Sequence, residues 1–118
     1  MTADIRITVG EDFAAVLNRA EDAERAWRTG EATGEATTHI NFETWEELTR
    51  TLTPRRLELL RHLHRNPAAS VRALAHTLGR AYANVHADVE ALTAAGLVER
   101  DVDGLRADYD GITTRIAL

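Results

Sequence analysis

Residues 70–96, SVRALAHTLGRAYANVHADVEALTAAG, contain two runs of helical periodicity separated only by Leu78-Gly79. No other stretch limits the fold as strongly. Ser70 stands where an N-cap belongs, and Val71, Leu74, Ala75 and Leu78 recur on one helical face. The second run, over 80–95, turns Ala81, Val85, Val89 and Leu92 inward and ends at Gly96. A glycine between two short helices lets the chain turn within a few residues, so the helices must pack at a steep angle and the second projects from the body.

The flanking sequence extends this pattern. Thr53-Pro54 combines an N-cap threonine with proline in the first helical position, and Asn66-Pro67 stops that helix near Arg65. Leu57, Leu60, Leu63 and His64 mark its inner face. Beyond Gly96, Leu97–Asp101 reads as a strand, Asp103-Gly104 as a type I′ turn and Leu105–Tyr109 as the return strand, with a last strand over Ile112–Leu118. Upstream, Ile5, Ile7 and Val9 alternate as in a strand, and 11–28 carries Phe13, Val16, Leu17, Ala20, Ala23 and Trp27 at helical spacing. Residues 29–36 read as a loop, 37–42 as a second strand and ETWEELTRT as a short helix with acids in its first turn. The predicted class is α+β: a winged helix-turn-helix over 53–118, preceded by a strand-helix-strand extension over 1–52.

Charge divides along the same line. Residues 1–52 carry five arginines against eleven carboxylates, a net −6, whereas 53–98 carry six arginines against three, a net +3, with four of the five histidines. A basic segment in a chain of net charge −5 points to contact with a polyanion, and the acidic segment suits a basic protein partner.

The second helix of the pair shows where that contact would fall. With Val85, Val89 and Leu92 inside, helical geometry puts Arg80, Ala83 and Ala87 on the opposite face, with Asn84 beside them and Tyr82 and His86 on one flank. Side chains that short permit close approach to base edges. Arginine can bridge N7 and O6 of guanine, asparagine can bridge N6 and N7 of adenine, and an alanine methyl can meet that of thymine. Arg80, Tyr82, Ala83, Asn84, His86 and Ala87 are therefore the candidate base-reading residues. Arg55, Arg56, Ser70, Arg72 and, in the wing, Arg106 are candidates for phosphate contact. Asp88 lies near the core edge and is expected to pair within the protein.

Other classes find little support. The chain has no cysteine, so disulfides and thiolate metal sites are excluded. His62 and His64 lie two apart on one helix and do not share a face, and His76 and His86 fall on different helices. No phosphate loop, nucleophile elbow or zinc-protease motif occurs. The expectation is a protein that is not an enzyme and binds neither metal nor cofactor. No run approaches membrane-spanning length and no signal peptide is visible, so the expected location is cytoplasmic and off the membrane.

The segments LTPRRLELLRHL (52–63), SVRALAHTLGR (70–80), NVHADVEALTAAGLVE (84–99) and ADYDGITTRIAL (107–118) together resemble a group of small prokaryotic winged-helix proteins related to the MarR-like regulators. The preface ending INFETWEELTRTL is similar to that group as well. The resemblance implies a homodimer that binds double-stranded DNA as a transcriptional regulator, most often a repressor. It also implies a role found in some members, that of an antitoxin that represses its own operon and binds a basic toxin-like protein. The alternative is an interaction module that neutralises a partner protein without binding DNA. Ala83 and Ala87 stand where the group carries polar side chains.

Overall fold

The computed structural model describes residues 4–11, 18, 21, 25 and 37–118. The chain forms two units, one of Met1–Leu48 with Asp110–Leu118 and one of Thr49–Tyr109. The architecture is α+β.

The first unit is built on a three-stranded parallel sheet with strand β1 (Asp4–Val9) at its centre, β2 (Thr37–Phe42) on one side and β5 (Gly111–Ile116) on the other. Ile5, Ile7 and Val9 are buried on one face. In register with them lie Thr38, Ile40 and Phe42 of β2 and Ile112, Thr114 and Ile116 of β5, so this face is mainly apolar across all three strands. The opposite face carries Arg6 and Thr8 of β1 beside His39 and Asn41 of β2. Thr8 is fully buried, and its hydroxyl donates to Asn41 Oδ1 at 2.8 Å. That leaves the oxygen as acceptor for His39 Nε2 at 2.9 Å, which assigns the proton to Nε2. Asn18, Glu21 and Arg25 are helical and exposed, at spacings of three and four that share one face. The apolar face expected over 11–28, and the loop expected over 29–36, lie outside the described residues.

Helix α1 (Trp45–Thr51) follows β2, with Glu46 and Glu47 in its first turn as expected. The second unit then holds α2 (Pro54–Arg65), α3 (Val71–Leu78), α4 (Tyr82–Ala95) and a hairpin of β3 (Glu99–Asp101) and β4 (Gly104–Arg106). Both predicted caps form: Thr53 Oγ1 accepts from Arg56 N at 3.3 Å, and Ser70 Oγ from Ala73 N at 3.1 Å. Gly79 ends α3 in the left-handed conformation, φ 65° and ψ 32°. Leu59, Leu60, Leu63, Val71, Leu74, Val85, Val89, Leu92, Leu97, Val98 and Leu105 form the core.

Four expectations need correction. Gly111–Ile116 belongs to the sheet of the first unit, not to the domain drawn over 53–118. His64 is exposed and Leu59 takes its place in the core; the His64 ring instead meets Ala107 O at 3.1 Å. The third helix begins at Tyr82 rather than Arg80, because Ala81 is extended (φ −63°, ψ 135°) and exposed, so neither Arg80 nor Ala81 follows the helical phase. The hairpin turns at Val102-Asp103, with Asp101 opposite Gly104, and neither turn residue has positive φ, which excludes type I′.

Tyr109 offers a titratable check on this unit. Its hydroxyl donates to Leu97 O at 2.9 Å, and burial pushes its pKa up to about 12 from 10.0. The folded state therefore keeps a proton that the unfolded state loses, so stability falls as pH rises from 10 to about 12 and levels off beyond. The chain has no lysine or cysteine to obscure that range. Tyr109→Phe should lose about 1 kcal/mol at neutral pH, the worth of one hydrogen bond, and flatten the alkaline limb. Urea unfolding across that pH range checks both effects; an unchanged limb would mean that Tyr109 does not cause it.

Candidate nucleic-acid interface

The exposed side of α4 is set by its buried side. Val85, Val89 and Leu92 are completely buried, which turns Ala83, Asn84 and Ala87 outward, and all three are exposed. Tyr82 is 44% exposed, with the Arg72 guanidinium 4.9 Å from its ring centroid and the His86 ring, tilted to it, 5.7 Å away. The stack joins α3 to the first turn of α4 and limits the freedom of all three side chains. His86 Nε2 also lies 3.6 Å from Glu90 Oε1, one helical turn on.

Ala81 provides no side-chain cap for α4. The first turn of this 14-residue helix therefore lacks the side-chain acceptor that Ser70 supplies to α3, and Asn84 N, the counterpart of Ala73 N, donates instead to Ala81 O at 3.2 Å. At the positive end of a helix dipole, N–H groups without a side-chain cap favour an anion. Sequence reasoning assigned this role to the α3 terminus, where Ser70 already satisfies Ala73 N. The signal that was present, and missed, is that Arg80-Ala81 contains no capping residue.

Beside Asn84 and Ala87 the surface sinks into a depression of about 400 Å³, lined also by Thr53, Arg55, Arg56, Arg80 and Asp88. Arg55, Arg56, Arg80, Asn84 and Ala87, all singled out in the sequence, thus meet at one place. Asp88 organises it, pairing within the protein as expected: Arg56 Nε lies 3.0 Å from Oδ1 and Arg80 Nη2 2.8 Å from Oδ2. Arg56 also donates from Nη1 to Arg50 O at 3.1 Å and Thr51 O at 3.0 Å. The three side chains are only 13–18% exposed. Arg80, expected to reach outward for a base, is instead held along the floor. The reason is its position before the first turn of α4, where helical phase does not govern its direction. No carboxylate among the described residues pairs with Arg55 or Arg72.

In the hairpin, Arg106, expected to meet phosphate, is already paired within the protein. Arg106 is enclosed by Glu99 Oε2 at 2.8 Å, Asp101 Oδ2 at 2.7 Å and Asp108 Oδ2 at 3.3 Å. Its guanidinium holds the Asp101 carboxyl below the usual carboxylate range, and Asp101 in turn raises Arg106. Arg100 pairs with Glu90 at 2.8 Å. Val102 at the tip is fully exposed.

Among the described residues no cluster of three or more histidine, aspartate or glutamate side chains could hold a metal, and no helix is long and apolar enough to cross a membrane. No curated protein and no solved structure matches the chain. Residues 51–114 match the family model HVO_A0114, and that segment contains α2, α3, α4, the hairpin and the outward face of α4. It covers more than half of the 118 residues, and the chain belongs to the HVO_A0114 family.

Proposed function

We propose that this chain is a winged helix-turn-helix protein of MarR-like character that binds double-stranded DNA and regulates transcription, with α4 in the major groove. One observation carries the reading: the Ala83–Asn84–Ala87 face is exposed, short and free of carboxylate, because the nearby Asp88 is neutralised by two arginines. Such a face can approach base edges, with Asn84 able to bridge adenine and the alanine methyls able to meet thymine. Tyr82 and His86 flank it. The uncapped start of α4, Arg55 and Arg72 supply phosphate contacts, while Arg56 and Arg80 act through the field they contribute and through the shape they hold.

A second reading is an interaction module, an antitoxin that occupies a basic toxin-like protein. The closure of Arg106 by three carboxylates favours it, since an acidic hairpin repels phosphate and attracts cations. The two readings combine in an antitoxin that represses its own operon.

Selection from random duplex DNA, followed by titration at several salt concentrations, tests the proposal. The expected result is an enriched motif whose affinity falls steeply with salt, by about 0.9 in log K per log unit of salt for each phosphate neutralised. Failure to enrich any motif would leave only the second reading. A homodimer is part of the proposal, because two copies of α4 on half-sites about 34 Å apart read a palindrome that one copy cannot.

A further inference from the structure

We propose that β5 is the dimer interface, pairing antiparallel with β5 of a second copy about a two-fold axis through Thr114. The inference rests on the homodimer proposed above but not on DNA binding. β5 is an edge strand of the parallel sheet, and Thr113–Ile116 are exposed along it. Ala117 N donates inward to Val9 O at 2.9 Å. Because backbone direction alternates along a strand, the N–H and C=O groups of Thr113 and Arg115 also face β1. Those of Ile112, Thr114 and Ile116 face away from the sheet.

A two-fold axis at Thr114 makes these outward residues match one another. Thr114 falls opposite Thr114, and Ile112 opposite Ile116 at both ends. Each is a hydrogen-bonded pair exchanging two backbone bonds, so every outward group from Ile112 to Ile116 finds a partner. The same register brings isoleucine against isoleucine on the face shared with Ile5, Ile7 and Val9, covering Ile116, which is 47% exposed. The result is one sheet in the order β2-β1-β5-β5-β1-β2. The other edge is less suitable. A two-fold at Ile40 would set Thr38 against Phe42, and His39 and Asn41 are already engaged with Thr8. β5 also has no proline or bulge of the kind that protects edge strands from pairing, and its one charge, Arg115, lies on the other face of the strand from Ile112 and Ile116 and pairs with Glu11 at 3.3 Å.

The test uses the full chain. Light scattering at micromolar concentration should give twice the 13.1 kDa chain mass. Thr114→Pro removes an N–H that faces away from β1, so the sheet should keep its circular dichroism while the protein becomes monomeric. Ile116→Glu, which alters no backbone bond, should weaken the dimer at least tenfold and covers the case in which the proline variant does not fold. Since the chain has no cysteine, Thr114→Cys should oxidise to a linked dimer, its Cα atoms about 5.5 Å apart, whereas Ile40→Cys, on the corresponding axis of β2, should not. A monomeric wild type would overturn both the interface and the dimer. A dimer that survives Thr114→Pro and Ile116→Glu, or that cross-links through Ile40→Cys, would overturn the interface alone.

Discussion

Gly104→Ala should cost the second unit about 3 kcal/mol or more and lower its melting temperature by roughly 15 °C. Leu105 N donates to Ala68 O at 2.7 Å, and Ala68 N donates back to Leu105 O at 3.0 Å, so a short bridge presses β4 against the segment between α2 and α3. A Cβ on Gly104 would overlap the Ala68 carbonyl oxygen and lie 3.1 Å from Ala69 Cα. Both are backbone atoms and cannot swing aside. The residue also sits at φ +124°, where an L side chain is strained. Gly79→Ala is the matched control. It also has positive φ, +65°, but its Cβ would meet nothing within 4 Å, so only the conformational cost of about 1 kcal/mol applies. Equal losses in urea unfolding would mean that the contact with Ala68 is not what requires glycine at 104.

Asp88→Ala should move stability and DNA affinity in opposite directions. Removing the carboxylate leaves the Arg56 and Arg80 guanidinium groups together without their shared anion, at a cost of about 2 kcal/mol once their partial exposure is allowed for. Arg56 remains tied to Arg50 O and Thr51 O, while Arg80 is released towards the solvent. The depression beside Asn84 then gains one positive charge. Non-specific affinity for duplex DNA should rise, and the salt dependence should steepen by about one phosphate contact, or 0.9 in slope. Asp88→Asn keeps an acceptor and should show a smaller change of both kinds. A variant that loses stability yet binds DNA no more tightly would mean that Arg80 does not come within reach of phosphate.

What the sequence revealed, and what it hid, depended on how local each feature is. The starts of α2 and α3 were legible because Thr53 and Ser70 cap N–H groups only three residues away. The inward face of α4 was legible because Val85, Val89 and Leu92 repeat at helical spacing. Gly104 was misread because an Asp-Gly pair looks like a turn, whereas the need for glycine comes from Ala68, distant in sequence. Arg80 was misdirected because extending the helix two residues too early gave it a phase that it does not have. Gly111–Ile116 was recognised as a strand but assigned to the wrong unit: nothing in GITTRI tells that its partner is Asp4–Val9, at the far end of the chain. The cluster around Asp88 was half legible. A carboxylate at the core edge of a helix signals an internal pair, but which cations reach it depends on how α2 and α4 pack.

The central claim is that the Ala83–Asn84–Ala87 face enters the major groove, and Ala87→Glu tests it most directly. Ala87 is exposed, and glutamate is a good helix former, so the folded protein and its melting temperature should be unchanged. In the groove, the new carboxylate would face phosphates and base acceptors on both sides, a like-charge contact costing several kcal/mol. The account predicts that the folded variant, titrated against the selected duplex at fixed salt, binds at least about a hundredfold more weakly than the wild type. A folded Ala87→Glu protein with undiminished affinity for that duplex would contradict it.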